Sequence, residues 1–183
     1  DGSNPVQLTS GLIDSLPTLT PDNRWVIYTA ASGAKPTLWK VSIDGGTPTQ
    51  MSDHVTTMSV VSPDGKFIAY TFPESSDLSA PPNRLTLATF DGVKEVKTFE
   101  IPPTGTVSSL IQWSPDGKSI LYTVTANNVT NIWSQPIDGG LPKQLTKFND
   151  MLITAFAWSR DGKQLACTRG NLLRDAVLIT DQK

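Results

Sequence analysis

The chain is poor in the residues that usually carry chemistry. Its 183 residues include one cysteine, one histidine and three tyrosines, and only 17% of them are charged. A lone Cys167 excludes an internal disulfide framework. A lone His54 excludes a multi-histidine zinc site. With no Gly-x-Ser-x-Gly elbow, the sequence also offers no serine-hydrolase constellation, so no enzyme is expected in the chain itself. A net charge of −2 leaves no basic footprint for nucleic acid or an anionic membrane surface. No apolar run approaches the roughly 20 residues that span a bilayer. The first residue is Asp1 rather than Met and no signal peptide is evident, so a processed or cut end is expected there.

What is abundant is punctuation. Fourteen prolines and thirteen glycines suit many short strands joined by tight turns, not helices. The punctuation repeats. Ser62-Pro63-Asp64-Gly65-Lys66 returns as Ser114-Pro115-Asp116-Gly117-Lys118 and as Ser159-Arg160-Asp161-Gly162-Lys163. A weaker copy is Thr20-Pro21-Asp22-Asn23-Arg24. A second phrase interleaves with it: Ile43-Asp44-Gly45-Gly46, Phe90-Asp91-Gly92 and Ile137-Asp138-Gly139-Gly140. Asp22, Asp64, Asp116 and Asp161 stand 42, 52 and 45 residues apart. Such periods fit a unit of four strands with short connections.

Each unit reads in one order. An apolar inner strand precedes the first Asp-Gly turn, as at Met58–Val61, Leu110–Trp113 and Phe156–Trp158. A nearly continuous apolar second strand follows: Trp25–Thr29, Phe67–Thr71, Ser119–Thr123 and Gln164–Thr168. Third strands carry Leu38–Val41, Leu85–Ala88, Ile132–Gln135 and, out of clean register, the segment Ala176–Thr180. Polar outer strands close the unit at Val6–Thr9, Thr49–Ser52, Val96–Phe99 and Lys143–Thr146. No segment sustains a 3.6-residue apolar period, so no helix is expected. The reading is an all-β propeller of four-stranded antiparallel blades, four per chain.

The run from Trp113 to Thr146, Trp-Ser-Pro-Asp-Gly-Lys followed by Ile-Trp, Ile-Asp-Gly-Gly and Gln-Leu-Thr, resembles the TolB-like propeller repeat, a relative of the WD-repeat pattern. The resemblance covers the whole chain and rests on turn and core residues, so it bears on fold more than on function. Blade one departs from it with Asn23 for Gly and Leu19 for Trp. Blade four departs with Arg160 for Pro and Gln182 for Gly.

The domain expectation is one propeller over 1–183. An outer strand within 1–10 completes the last blade, and the repeats run at about 15–54, 55–101, 106–148 and 151–183. Ends that share a blade hide sheet edges and close the ring. Two alternatives stand beside self-closure: half of an eight-bladed ring formed by a dimer, and a fragment of a larger propeller.

Function on repeat scaffolds resides in loops on one face. The longest insertion, Phe72 to Asn83, lies between a second and a third strand. With the neighbouring loops it nominates Glu74, Asp77, Leu78, Arg84, Phe148, Arg169 and Arg174 as a surface for a protein or peptide. Self-association into a larger ring is a second partnership that the reading includes. The expected function is a non-catalytic protein-interaction or sensory module. The alternative is the propeller portion of a prolyl-oligopeptidase-like serine peptidase whose catalytic domain lies outside this chain. The turn aspartates read as turn residues, not metal ligands. Tyr28, Tyr70, Tyr122, Trp39, Trp113, Trp133 and Trp158 read as packing between blades, Cys167 as a buried core thiol, and His54 as a solvated loop residue. Neither metal nor cofactor is expected. The resemblance implies a bacterial periplasmic or secreted setting ahead of a cytoplasmic one.

Overall fold

A computed structural model of the chain describes residues 3–31, 35–56, 58–75, 80–92, 94–101 and 106–171. Fourteen strands and no helix occur among the described residues. The first sheet holds β1 (Asp14–Leu19), β2 (Trp25–Ala30), β3 (Thr37–Ser42) and β4 (Thr49–Gln50). The second holds β5 (Met58–Val61), β6 (Phe67–Phe72), β7 (Arg84–Thr89) and β8 (Glu95–Glu100). The third holds β9 (Thr106–Trp113), β10 (Ser119–Ala126), β11 (Val129–Pro136) and β12 (Lys143–Gln144). The fourth shows β13 (Leu152–Trp158) and β14 (Leu165–Gly170). Every sheet is an antiparallel meander in chain order.

The repeated turn has one construction in all four sheets. Ser62 Oγ donates to Asp64 Oδ1 at 2.6 Å and accepts from Phe67 N at 2.9 Å, while Lys66 N donates to Asp64 Oδ1 at 3.1 Å. Ser114 with Asp116, Ser159 with Asp161 and Thr20 with Asp22 repeat the arrangement. The fourth turn residue needs a left-handed backbone: φ is 72° at Gly65, 67° at Gly117 and 68° at Gly162. Asn23 holds the same position at 57°, which explains how blade one dispenses with glycine, since Asn tolerates this region.

Apolar side chains fill the seams between consecutive sheets. Ile27, Leu38 and Met51 of the first sheet and its connector meet Ile68, Tyr70, Phe72 and Ala88 of the second. Ala69, Leu85, Leu87 and Phe99 of the second meet Ile111, Trp113, Ile120 and Tyr122 of the third. Leu121 and Ile132 of the third meet Ile153 and Phe156 of the fourth. The second strands of the second and third sheets, β6 and β10, are therefore apolar on both faces, because each of these sheets has a described neighbour on either side.

Three expectations need correction, and a fourth falls outside the described residues. Val6–Thr9 is in no strand; Leu8 lies against Tyr28, Ala30 and Val41 on the flank of the first sheet that faces away from the second. Its local shape is still that of an outer strand. Gln7 Nε2 donates to Thr9 O at 2.9 Å, as Gln50 does to Ser52 O and Gln144 to Thr146 O. Tyr28 and Trp39 pack on that same flank, not between two described sheets. Cys167 is only partly buried, at the edge of the third seam opposite Phe156. The expected third strand at 176–180, and with it the shared last blade, lies outside the described residues.

Candidate functional site

In a four-stranded meander, the loops from second to third strands and the connectors between sheets emerge at one end. Two of the nominated clusters form there. At the β6–β7 loop, Arg84 faces Phe72 on one side and Glu100 on the other in strand register. Its Nη2 meets Glu74 Oε2 at 2.5 Å and Glu100 Oε1 at 3.5 Å, and its side chain is 20% exposed. Asn83 Oδ1 holds the loop by accepting from Glu74 N at 2.8 Å. Arg84 is thus held between two carboxylates.

The second cluster lies at the junction of the third and fourth sheets. Asn131 of β11 shapes the connector: its Oδ1 accepts from Phe148 N at 2.7 Å and its Nδ2 donates to Phe148 O at 3.1 Å. The Arg169 guanidinium carbon sits 3.7 Å from the Phe148 ring centre. Its Nη2 also meets Asp150 Oδ1 at 2.5 Å and donates to Asp150 O at 2.7 Å. An aromatic face, a carboxylate and a backbone carbonyl together hold this cation in one orientation. Of the nominated residues, the fold pairs Glu74 with Arg84 and Phe148 with Arg169. Asp77, Leu78 and Arg174 lie outside the described residues.

A third cluster was not legible in the sequence. His54, expected to be a solvated loop residue, stacks on Phe72 with ring centres 4.1 Å apart. Its Nε2 lies 3.0 Å from Glu95 Oε1, and the Tyr70 hydroxyl donates to the same oxygen at 3.1 Å. His54, Tyr70 and Glu95 border a cleft of about 480 Å³ whose walls also include Gln50, Met51, Ser52 and Asp53. Burial pushes Tyr70 up to about 12, opposed by the Ser52 hydroxyl and reinforced by the Glu95 charge. Burial alone raises the equivalent Tyr122 in the next seam. His54 comes from the connector after β4, while Phe72 and Glu95 come from the second sheet. Only the packing of two sheets unites them, so no local motif announces the cluster.

The turn aspartates are engaged by their own turns. Asp22, Asp64, Asp116 and Asp161 are all held below the ordinary carboxylate value of 3.8. The first cause is the Ser or Thr hydroxyl two residues before each, and the second is the backbone N–H two residues after. Among the described residues, no three His, Cys, Asp or Glu side chains gather as a metal site would require.

No protein-family model matches the chain, and no curated protein sequence does. Solved structures do match. A protein of Agrobacterium tumefaciens described as TolB aligns over 85% of this chain and 53% of its own, with 21% identity and a TM-score of 0.67. TolB of Acinetobacter baumannii aligns over 85% and 37%, with 19% identity and a TM-score of 0.63. A chain of the nidogen/laminin complex aligns over 84% and 55%, with 18% identity and a TM-score of 0.65. The chain therefore spans about half the length of these structures or less. The fold is an all-β propeller with four blades in this chain. Its blades are TolB-like.

Proposed function

We propose that the chain is a non-catalytic, protein-binding propeller module that engages its partner through the loop end of the sheets. The observation that carries this reading is the fixed presentation of two arginines at that end. Arg84 is clamped by Glu74 and Glu100, and Arg169 is clamped by Phe148 and Asp150. Side chains ordered in advance lose less entropy on binding, and arginine and aromatic residues dominate interface energetics. Asp77, Leu78 and Arg174 extend the same proposed surface by their place in the chain. One structural relative is a partner in a nidogen/laminin complex, so this fold serves protein association elsewhere. No observation favours the peptidase-propeller reading over this one. Self-association through open sheet flanks belongs to the same class of function.

The test begins with the mass of the isolated chain in solution, which reads self-association directly. Partners are then captured by crosslinking to the wild-type chain and compared with Arg84→Glu and Arg169→Glu. A partner lost in both variants, with thermal unfolding unchanged, supports the loop end as the interface. A partner retained by both overturns it.

A further inference from the structure

We infer that the cleft between the first and second sheets receives a guanidinium group, such as an arginine side chain of a bound protein. The inference uses neither Arg84 nor Arg169 nor the groups that hold them, and it stands apart from the reading above.

The argument is a census of donors and acceptors. The donors of Gln50, His54 and Tyr70 on the cleft walls are already committed. Gln50 Nε2 is shared among Thr37 Oγ1 at 3.4 Å, Ser52 O at 3.0 Å and Asp53 Oδ1 at 3.4 Å. The His54 backbone N–H donates to Ser52 Oγ at 3.1 Å. The Tyr70 hydroxyl and His54 Nε2 both end on Glu95 Oε1. The acceptors are left over. Among the described residues no partner is recorded for Gln50 Oε1, Asp53 Oδ2 or Glu95 Oε2. With Nε2 as the donor, His54 Nδ1 is a further acceptor.

Charge and shape point the same way. Asp53 and Glu95 border the cleft, and among the described residues no Lys or Arg does, so its field favours a cation. Tyr70 and His54 add aromatic rings to the wall, with centres 6.4 Å apart and tilted, and Phe72 backs His54 from beneath. A planar cation with five N–H donors satisfies spare acceptors and stacks on rings, which a compact ammonium does less well. The volume of about 480 Å³ is that of an ordinary small-ligand site. The next seam is not furnished in this way, since Tyr122 is raised by burial alone.

The sole histidine supplies the readout. The full chain is titrated at constant neutral pH with Nα-acetyl-arginine methylamide while the His54 ring resonances are followed by NMR. The isosteric citrulline amide, which lacks the charge, serves as control. The expected result is a saturable shift of His54 with the arginine probe and none with citrulline. Glu95→Gln should weaken the arginine probe about tenfold or more, the loss of one charge-assisted bond. Asp53→Asn, at an exposed connector position, gives a second reading should Glu95→Gln disturb the fold. An unmoved His54, an equal response to citrulline, or wild-type affinity in Asp53→Asn together with a folded Glu95→Gln would each overturn the inference.

Discussion

Trp113 and Trp158 hold the same place in successive repeats, one residue before the turn, yet they meet different surroundings. Trp113 is 7% exposed within a seam of large side chains, and its Nε1 donates to Val60 O of the preceding sheet at 3.1 Å. Trp158 is only partly buried, and its Nε1 is enclosed without a hydrogen-bond partner. At this second seam the bridge between sheets is made elsewhere, by Gln112 Nε2 donating to Phe156 O at 2.6 Å. Beyond Trp158 the far face of the fourth sheet carries exposed Ala155, Ala157, Ala166 and Thr168. One repeated residue thus serves as a bonded keystone in one seam and as apolar filling in the next. A repeat fixes position, while the neighbouring sheet decides what that position contributes.

The contrast can be broken most forcefully by truncation. Trp113→Ala should cost about 3–5 kcal/mol in chemical denaturation, because a large cavity opens between two sheets that cannot collapse. Trp158→Ala should cost clearly less, below about 3 kcal/mol. Equal losses would show that the two seams bear equal weight.

Replacement by phenylalanine isolates the indole N–H. Trp113→Phe loses the bond to Val60 O and leaves that carbonyl without its partner, at a cost of about 1–3 kcal/mol. Trp158→Phe removes a donor that is buried and unpaired, so its stability should stay level or rise. A loss in Trp158→Phe as large as that in Trp113→Phe would contradict the assigned difference.

A smaller effect should be common to both seams. Ser114→Ala and Ser159→Ala each remove an acceptor for a strand N–H and a donor to the turn aspartate, so each should cost about 1 kcal/mol. Similar melting shifts in the two would place the seam difference in packing, not in the turns. Unequal shifts would place part of it in the turns.

The mildest probe is pH. The turn aspartates titrate below their ordinary value when folded, so the folded state binds fewer protons than the unfolded chain. Their contribution is present above about pH 4 and fades as pH falls through their lowered folded values. Tyr70 acts at the opposite end. Raised to about 12, it keeps its proton longer when folded, so its contribution is present below about pH 10 and fades between there and pH 12. Stability measured from pH 7 downward should fall only below pH 4 from the turns. Absorbance of ionised tyrosine should lag behind that of the unfolded chain above pH 10.

The blades were legible because each turn encodes itself within six residues. Ser62, Asp64 and Gly65 satisfy one another locally, so the spacing of Ser, Asp and Gly is enough to place the turn and the strands beside it. The outer strand expected at Val6–Thr9 shows the limit. Its Gln7–Thr9 bond is the same local device seen at Gln50 and Gln144, but a strand also needs a neighbour, which local sequence cannot name. The loop-end pairs were half legible. Glu74 and Arg84 belong to one hairpin, whereas Phe148 and Arg169 meet through a sheet-to-sheet contact that only their shared face suggested. His54 was misjudged for the same reason: Glu95 lies 41 residues away along the chain and reaches it only once two sheets stack.

The strand β8 has a consequence for behaviour in concentrated solution. The outer strands β4 and β12 span two residues each, too short to template another strand, but β8 runs for six. An open edge of that length invites stacking with a neighbouring molecule. Here the edge carries Glu95, Lys97 and Glu100, and the Lys97 ammonium is tied to Asp138 O at 2.9 Å. Alternating charges fixed along the longest rim strand act as gatekeepers. Charged side chains along an edge strand oppose its pairing with a strand of another molecule.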